Sequence, residues 1–404
     1  MAYGIYDGLV DWLLMPLLRD LVPDADAIRP IVIDSLEMTS ILLFVTVNTI
    51  FLIWFERKVV ARMMNRRGPT FIDFNYGAPF GRTWKFGLLQ NIAEFLKFFS
   101  KEDIVPDKAD KFPFNVGFFA FVVAPPFILP ALLPLGIFGP GANGVVADPA
   151  VGFLLISALF ALYPVGVLVT GWSSNNKFSL LGAFRSAAQV ISYEIPMMLA
   201  IGSVVMVSQS FSLLGIAELQ TSNPLGLPFM IFMPIGFIVF LVALAAETER
   251  IPFDIPEAEA ELVMGWRTEL TGFRYMMSMA SEYFILFIGA YIGVFLFWGG
   301  WYLPFIPAET IVQFPFLPTI ILVIKLWLFI FLYIWVRAAL PRVRIDQLLD
   351  IGWKRLIPMA IINIGVIVLS QIAFDLDVTM MAIVGFATLF VLWAMRFKIV
   401  GGST

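Results

Sequence analysis

The sequence is a succession of apolar runs, each close to the length of a bilayer crossing. They fall at about 37–55, 113–135, 151–172, 190–208, 228–246, 278–298, 316–335, 356–372 and 378–395. A helix needs about 20 predominantly apolar residues to cross the hydrocarbon core, and inside lipid each backbone polar group must be satisfied within its own segment. These runs predict an all-α integral membrane protein with about nine transmembrane helices. Composition agrees: 60% of the 404 residues are hydrophobic and 14% charged, against about 25% charged in soluble domains. Residues 1–34 are too acidic for a cleavable signal, and a short interfacial helix is expected around 6–18. Residues 1–36 therefore read as an N-terminal extension, 37–373 as the main transmembrane domain, and 374–404 as an additional helix and tail.

Orientation follows from the bases. Every Lys and Arg except Arg19, Arg29 and Lys325 lies in an odd-numbered connection or in the C-terminal tail. Positive residues collect on the cytoplasmic side, so the N-terminus is expected outside and the long charged loops, 56–112 and 247–277, in the cytoplasm. The cell (inner) membrane is the expected location.

Absences narrow the chemistry. The chain has no cysteine and no histidine. Thiolate-held iron–sulfur clusters and the usual haem ligand are therefore excluded within this polypeptide, so no bound metal redox centre is expected. Proton traffic would run through carboxylates, Lys, Tyr, hydroxyls and water. A net charge of −4 argues against nucleic acid as a partner.

The most charged connection is AETERIPFDIPEAEAELVMGWRTELTGFRY, residues 246–275. Its acids are Glu247, Glu249, Asp254, Glu257, Glu259, Glu261 and Glu269, facing Arg250, Arg267 and Arg274. Pro252 and Pro256 forbid one continuous helix through its first half, because each removes a backbone donor and restricts the residue before it. The segment reads as a shaped, charged connection.

Charges within apolar runs are functional candidates by default. Four stand out: Glu194 about one turn inside the fourth helix, Glu247 closing the fifth, Glu282 opening the sixth, and Lys325 near the middle of the seventh. Each also admits a structural reading. Glu247 can mark a membrane boundary, and Glu194 can be solvated where Pro196 loosens the backbone. Glu282 can be hydrogen-bonded beside Ser281, and Lys325 can be a paired charge. Together the three glutamates fall at similar depth on consecutive helices, and neighbouring buried carboxylates share protons. They predict a hydrated path entering from the cytoplasmic side.

In the first long loop, Leu88, Leu89, Ile92, Phe95, Leu96 and Phe99 fall at helical spacing opposite Gln90, Asn91, Glu94, Lys97 and Lys101. This is an amphipathic helix at the cytoplasmic membrane surface, or one packed on another subunit; the two are compatible.

Four segments carry a family resemblance: ERKVVARMMNRRGP (56–69), GLLQNIAEFLKFFSKEDIVP (87–106), FRSAAQVISYEIP (184–196) and AETERIPFDIPEAEAELVMG (246–265). In this order they resemble the membrane subunit that anchors the peripheral arm of respiratory complex I, the NADH-quinone oxidoreductase. That subunit is called H in bacteria and ND-one in mitochondria. The resemblance implies a translocase subunit that, with peripheral-arm iron–sulfur and quinone-chamber subunits, other membrane-arm subunits and the lipid bilayer, encloses the site where a quinone such as ubiquinone is reduced. Quinone is then a diffusible substrate, with no cofactor bound permanently in this chain.

By motif, the resemblance puts Glu56, Arg57 and Arg62 near the quinone entrance, and Arg185, Gln189 and Arg274 near the chamber. Glu247, Glu249, Asp254, Glu257, Glu259 and Glu261 fall in the acidic loop and the start of the proton path. Glu194 and Glu282 match its membrane-embedded carboxylates. Residues 70–86, the N-terminal extension and the ninth helix depart from the common form, and Lys325 has no counterpart. The alternatives are the equivalent subunit of an energy-converting membrane hydrogenase, a stand-alone proton or sodium transporter, and a purely structural docking anchor.

Overall fold

The structure is a computed structural model that describes residues 25–69, 87–133, 149, 151–222, 227–256, 259–304, 306, 317–370 and 383–390. Among them every regular element is helical. The elements are α1 (Ala25–Met63), α2 (Gln90–Phe99), α3 (Lys111–Leu132), α4 (Gly152–Ser173), α5 (Lys177–Ser208), α6 (Leu213–Ser222) and α7 (Phe229–Phe232). They continue with α8 (Pro234–Glu247), α9 (Glu259–Leu262), α10 (Gly272–Trp298), α11 (Leu317–Ala339) and α12 (Ile345–Val368). Seven are long and apolar enough to cross a membrane, and α8 is a shorter apolar helix. The protein is an all-α, multi-pass membrane protein.

Helix α10 is the core of the bundle, buried nearly throughout. Such burial needs close neighbours, and small residues let transmembrane backbones approach. At Gly289 an added Cβ would come 2.2 Å from Leu244 of α8. Helix α10 stops at Trp298, followed by Gly299 at φ +72° in the left-handed region, the usual glycine termination. Lys325 of α11 completes this end, donating to the carbonyls of Trp298, at 2.6 Å, and Tyr302. The lysine expected mid-helix as half of an ion pair thus lies in the first part of α11 and caps a helix terminus, where the macrodipole favours a cation.

Several boundaries differ from expectation. Helix α1 begins at Ala25, not near residue 37. Helix α5 begins at Lys177, not near 190, because the Asn176 side chain caps it by accepting from the Phe178 amide at 3.0 Å. Its first turns are polar yet buried at Ser179, Ser186 and Gln189, and hydropathy does not detect them. Glu194 therefore lies near mid-helix rather than one turn in. The expected fifth span breaks at Met233 between α7 and α8; Pro234 has no amide hydrogen and disfavours a helical residue before it. Of the ninth expected span, residues 383–390 are helical; its remainder, the N-terminal extension up to 24 and the 70–86 departure lie outside the described residues.

The amphipathic helix is present as α2, with part of its polar face turned inward. Asn91 donates to the Ile50 carbonyl at 2.9 Å, and Glu94 pairs with Arg57 at 2.6 Å. Those contacts fix α2 to α1 and leave Ile92, Phe95, Leu96 and Phe99 exposed. An apolar stripe held outward in this way suits the membrane interface.

Candidate functional site

The site lies at the end of the bundle where α1, α5, α8, α10 and α11 meet the 247–272 connection. Its loop is fastened to α5 by buried polar side chains. The Gln189 amide donates to the carbonyls of Ala246 and Phe253, both at 2.8 Å. The Ser179 hydroxyl donates to the Trp266 carbonyl at 3.0 Å. The turn Gly265–Arg267 lies so close to α5 that a Cβ on Gly182 would come 2.5 Å from the Gly265 and Trp266 backbone. Glycine at 182 thus lets the turn press Arg267 into the bundle, where its side chain is wholly buried.

Arg267 stands between two acids. Its guanidinium contacts Glu282 of α10 directly and lies 3.9 Å from Glu249 of the loop. It also sits over the Trp266 ring, 4.8 Å from the centroid. Glu249 accepts a hydrogen bond from the Ser186 hydroxyl of α5 and has φ +48°, a left-handed conformation that costs a non-glycine residue of order 1 kcal/mol or more. Burial pushes the Glu249 carboxyl above its ordinary value, against the opposing pull of Arg267 and the Ser186 hydroxyl.

A second network closes over the first. Glu56 of α1 is held by Arg250 at 2.8 Å and contacted directly by Arg337 of α11. Arg250 also lies over the Tyr283 ring at 4.0 Å. Asp254 pairs with Arg342 at 3.0 Å. Between the networks is a crevice of about 350 Å³, lined by Glu249, Asp254 and Glu282, by Arg250 and Arg337, and by Tyr283. Deeper in the bundle is a separate apolar void of about 300 Å³, bounded by residues including Met197, Phe240 and Leu244.

Glu247 is different. It ends α8, is 2% exposed, and its Oε2 has no partner. Glu194 and Glu249 both lie within electrostatic reach of it. No ion pair among the described residues reaches Glu194 or Glu247. Glu194 is half-buried, and Ile191 and Ile195 beside it on α5 are exposed.

Thus Glu247, Glu249, Asp254 and Glu282 form one buried cluster, with Glu194 beside it and Glu56 on its crevice wall. The other sequence candidates lie around it. Arg185 pairs with Glu261 at 2.6 Å on the exposed side of α5. Arg274 pairs with Asp103 at 3.1 Å and joins the first loop to α10. Arg62 is exposed in the last turn of α1. Glu259 lies in α9, and Glu257 lies outside the described residues. Sequence reasoning missed the cations that organise the cluster: Arg250 and Arg267 read as loop bases, and Arg337 and Arg342 as an ordinary membrane boundary.

The fold and this site define a class: a multi-pass helical membrane protein with a buried carboxylate cluster at one end, opening on a polar crevice. The family model for NADH dehydrogenase matches residues 36–368. The chain is 40% identical over 334 residues to the second H-type subunit of the NADH-quinone oxidoreductase of Syntrophobacter fumaroxidans (strain DSM 10017 / MPOB), covering 82% of this chain and 93% of that protein. It is 38% identical over 330 residues to the protein of the same name from Rhizobium meliloti (strain 1021), covering 80% and 92%. The chain belongs to the NADH dehydrogenase family, and the expected likeness to the H-type membrane subunit is borne out.

Proposed function

We propose that this chain forms the membrane wall of a quinone-reduction chamber in an NADH-quinone oxidoreductase and couples quinone reduction to proton movement through its buried acids. The loop end faces the cytoplasm in this reading. Peripheral iron–sulfur subunits dock there, and further membrane subunits flank the bundle. The observation that carries the reading is the crevice: Glu249, Asp254 and Glu282 line one polar cavity, and Glu247 lies in electrostatic reach of Glu249 with no cation of its own.

The chemistry is electrostatic. Electrons delivered to a quinone add negative charge, which protons must balance. Carboxylates in a low-dielectric site respond strongly to charge arriving nearby. The acids lining the crevice take up that change, and Glu247 and Glu194 extend the array into the bundle. Arg250, Arg337 and Arg342 hold the crevice wall in place, and this chain supplies no electron carrier.

The test uses the intact complex in proteoliposomes. Glu247→Gln and Glu257→Gln lower both quinone reduction and proton pumping, by about tenfold or more if proton transfer becomes limiting, while assembly persists. Full activity and full pumping in both variants would overturn the reading. Cation transport by the isolated chain would replace it with a stand-alone transporter, and nickel–iron hydrogenase activity in the purified complex with a membrane component of a hydrogenase.

A further inference from the structure

Two acids in the cluster share one cation. Glu249 belongs to the loop and Glu282 to the core helix α10, yet the Arg267 guanidinium reaches both, touching the second and standing 3.9 Å from the first. Nothing exposed competes for it, since the Arg267 side chain is wholly buried. Its other neighbours come from each element around it. They are the ring of Trp266 in its own turn and the sulfur of Met279 on α10, 3.7 Å from Nη1. Tyr163 of α4 lies within electrostatic reach of both Arg267 and Glu249. Ser186 of α5 bonds Glu249. Asp254 of the loop acts on Glu249, and Glu249 in turn on Glu247 of α8.

We propose that Arg267 is a positioning residue that acts as a shared counter-ion, so that a change of charge on Glu249 in the loop is felt at Glu282 in the core helix, and the reverse. The inference rests on the coupling reading above and adds the residue that ties the loop to the helix. The asymmetry of the two contacts is its basis. A guanidinium presents several donors in a rigid fork and here gives its direct contact to Glu282, leaving Glu249 the longer one. When Glu282 gains a proton its hold on the guanidinium weakens and Glu249 gains the cation; when Glu249 gains a proton the cation belongs to Glu282. Two carboxylates facing each other without a cation cannot both stay charged in a buried site. Removing Arg267 therefore makes the pair take up a proton.

The experiment follows carboxyl protonation by infrared spectroscopy, and quinone-reductase turnover against pH, in the intact complex. In Arg267→Gln the protonated-carboxyl band persists to higher pH than in wild type, and the acid limb of turnover moves up by about one pH unit or more. Arg267→Lys, which keeps the charge without the fork, moves both in the same direction by less. Glu282→Gln leaves the cation to Glu249 alone, so the remaining band shifts to lower pH. If Arg267→Gln fails to assemble, the lysine and Glu282→Gln complexes decide the matter through these opposite shifts. Wild-type titration retained in both would overturn the proposal. An infrared titration that moves while the turnover profile stays fixed would keep the shared counter-ion and overturn the coupling reading instead.

Discussion

Arg250 donates to both carboxylate oxygens of Glu56, at 2.8 and 3.0 Å, across 194 positions of sequence. This contact, with Arg337 on the other side of the same carboxylate, ties the first span, the acidic loop and α11 into one wall of the crevice. A connection with two prolines has little local structure to hold its shape. Glu56, Gln189 and Arg267 supply that shape from outside it.

Glu56→Ala leaves two guanidinium groups without their shared acid. Removing one partner of a buried pair costs about 3–5 kcal/mol, at the lower end here because Arg337 is 31% exposed. The complex should unfold at markedly lower temperature, and Glu56→Asp should recover part of the loss. A thermal melt of the purified complex reads both.

Gly182→Val drives a side chain into the turn that carries Arg267. Overpacking of this kind costs about 1–3 kcal/mol, and the rigid turn backbone 2.5 Å away leaves little room for relief. Reduced assembly together with a shifted pH profile is expected, because Arg267 moves with the turn. A fall in assembly with an unchanged profile would separate the packing from the electrostatics.

Glu249 makes stability depend on pH in a defined sense. Burial raises its carboxyl above the ordinary range, so between the unfolded and folded values the folded state binds more protons. Stability then falls as pH rises through that window. It is fully present below the ordinary carboxylate range and lost above the raised value. Glu249→Gln removes this contribution to the slope, so wild type should lose more stability than the variant as pH rises. Parallel melting curves for the two would contradict the assignment.

Lys325→Met removes the donor from the Trp298 and Tyr302 carbonyls at the far end of α10. The expected cost is about 1–3 kcal/mol for stranded buried acceptors, seen as a lower melting temperature. Turnover per assembled complex should be unchanged, because Lys325 lies at the opposite end of α10 from Glu282. Loss of turnover at full assembly would give this lysine a direct role.

Much of the architecture was legible in the chain. Apolar length alone located eight spans that coincide with described helices, and the 3.6-residue spacing of Ile92, Phe95, Leu96 and Phe99 located α2. The acids of the loop and those at 194 and 282 stood out because charge is scarce in apolar sequence. The start of α5 was not legible. Its first turns pack Ser179, Ser186 and Gln189 against another part of the chain, and a hydropathy window registers such residues as solvent-facing. The break at Met233 was signalled by Pro234 but concealed by the uniform apolar character around it.

By itself the sequence determined that this chain crosses a membrane many times and carries acids where lipid would not tolerate them unaided. Those are sums over neighbouring residues, and neighbours are given in advance. Which cation serves which acid was decided only when α1, α5, α8, α10 and α11 came side by side, since a Coulomb interaction depends on distance in space and on burial. The pairing left Glu247 without a cation and gave Arg267 two acids, a division that the linear order of charges does not contain.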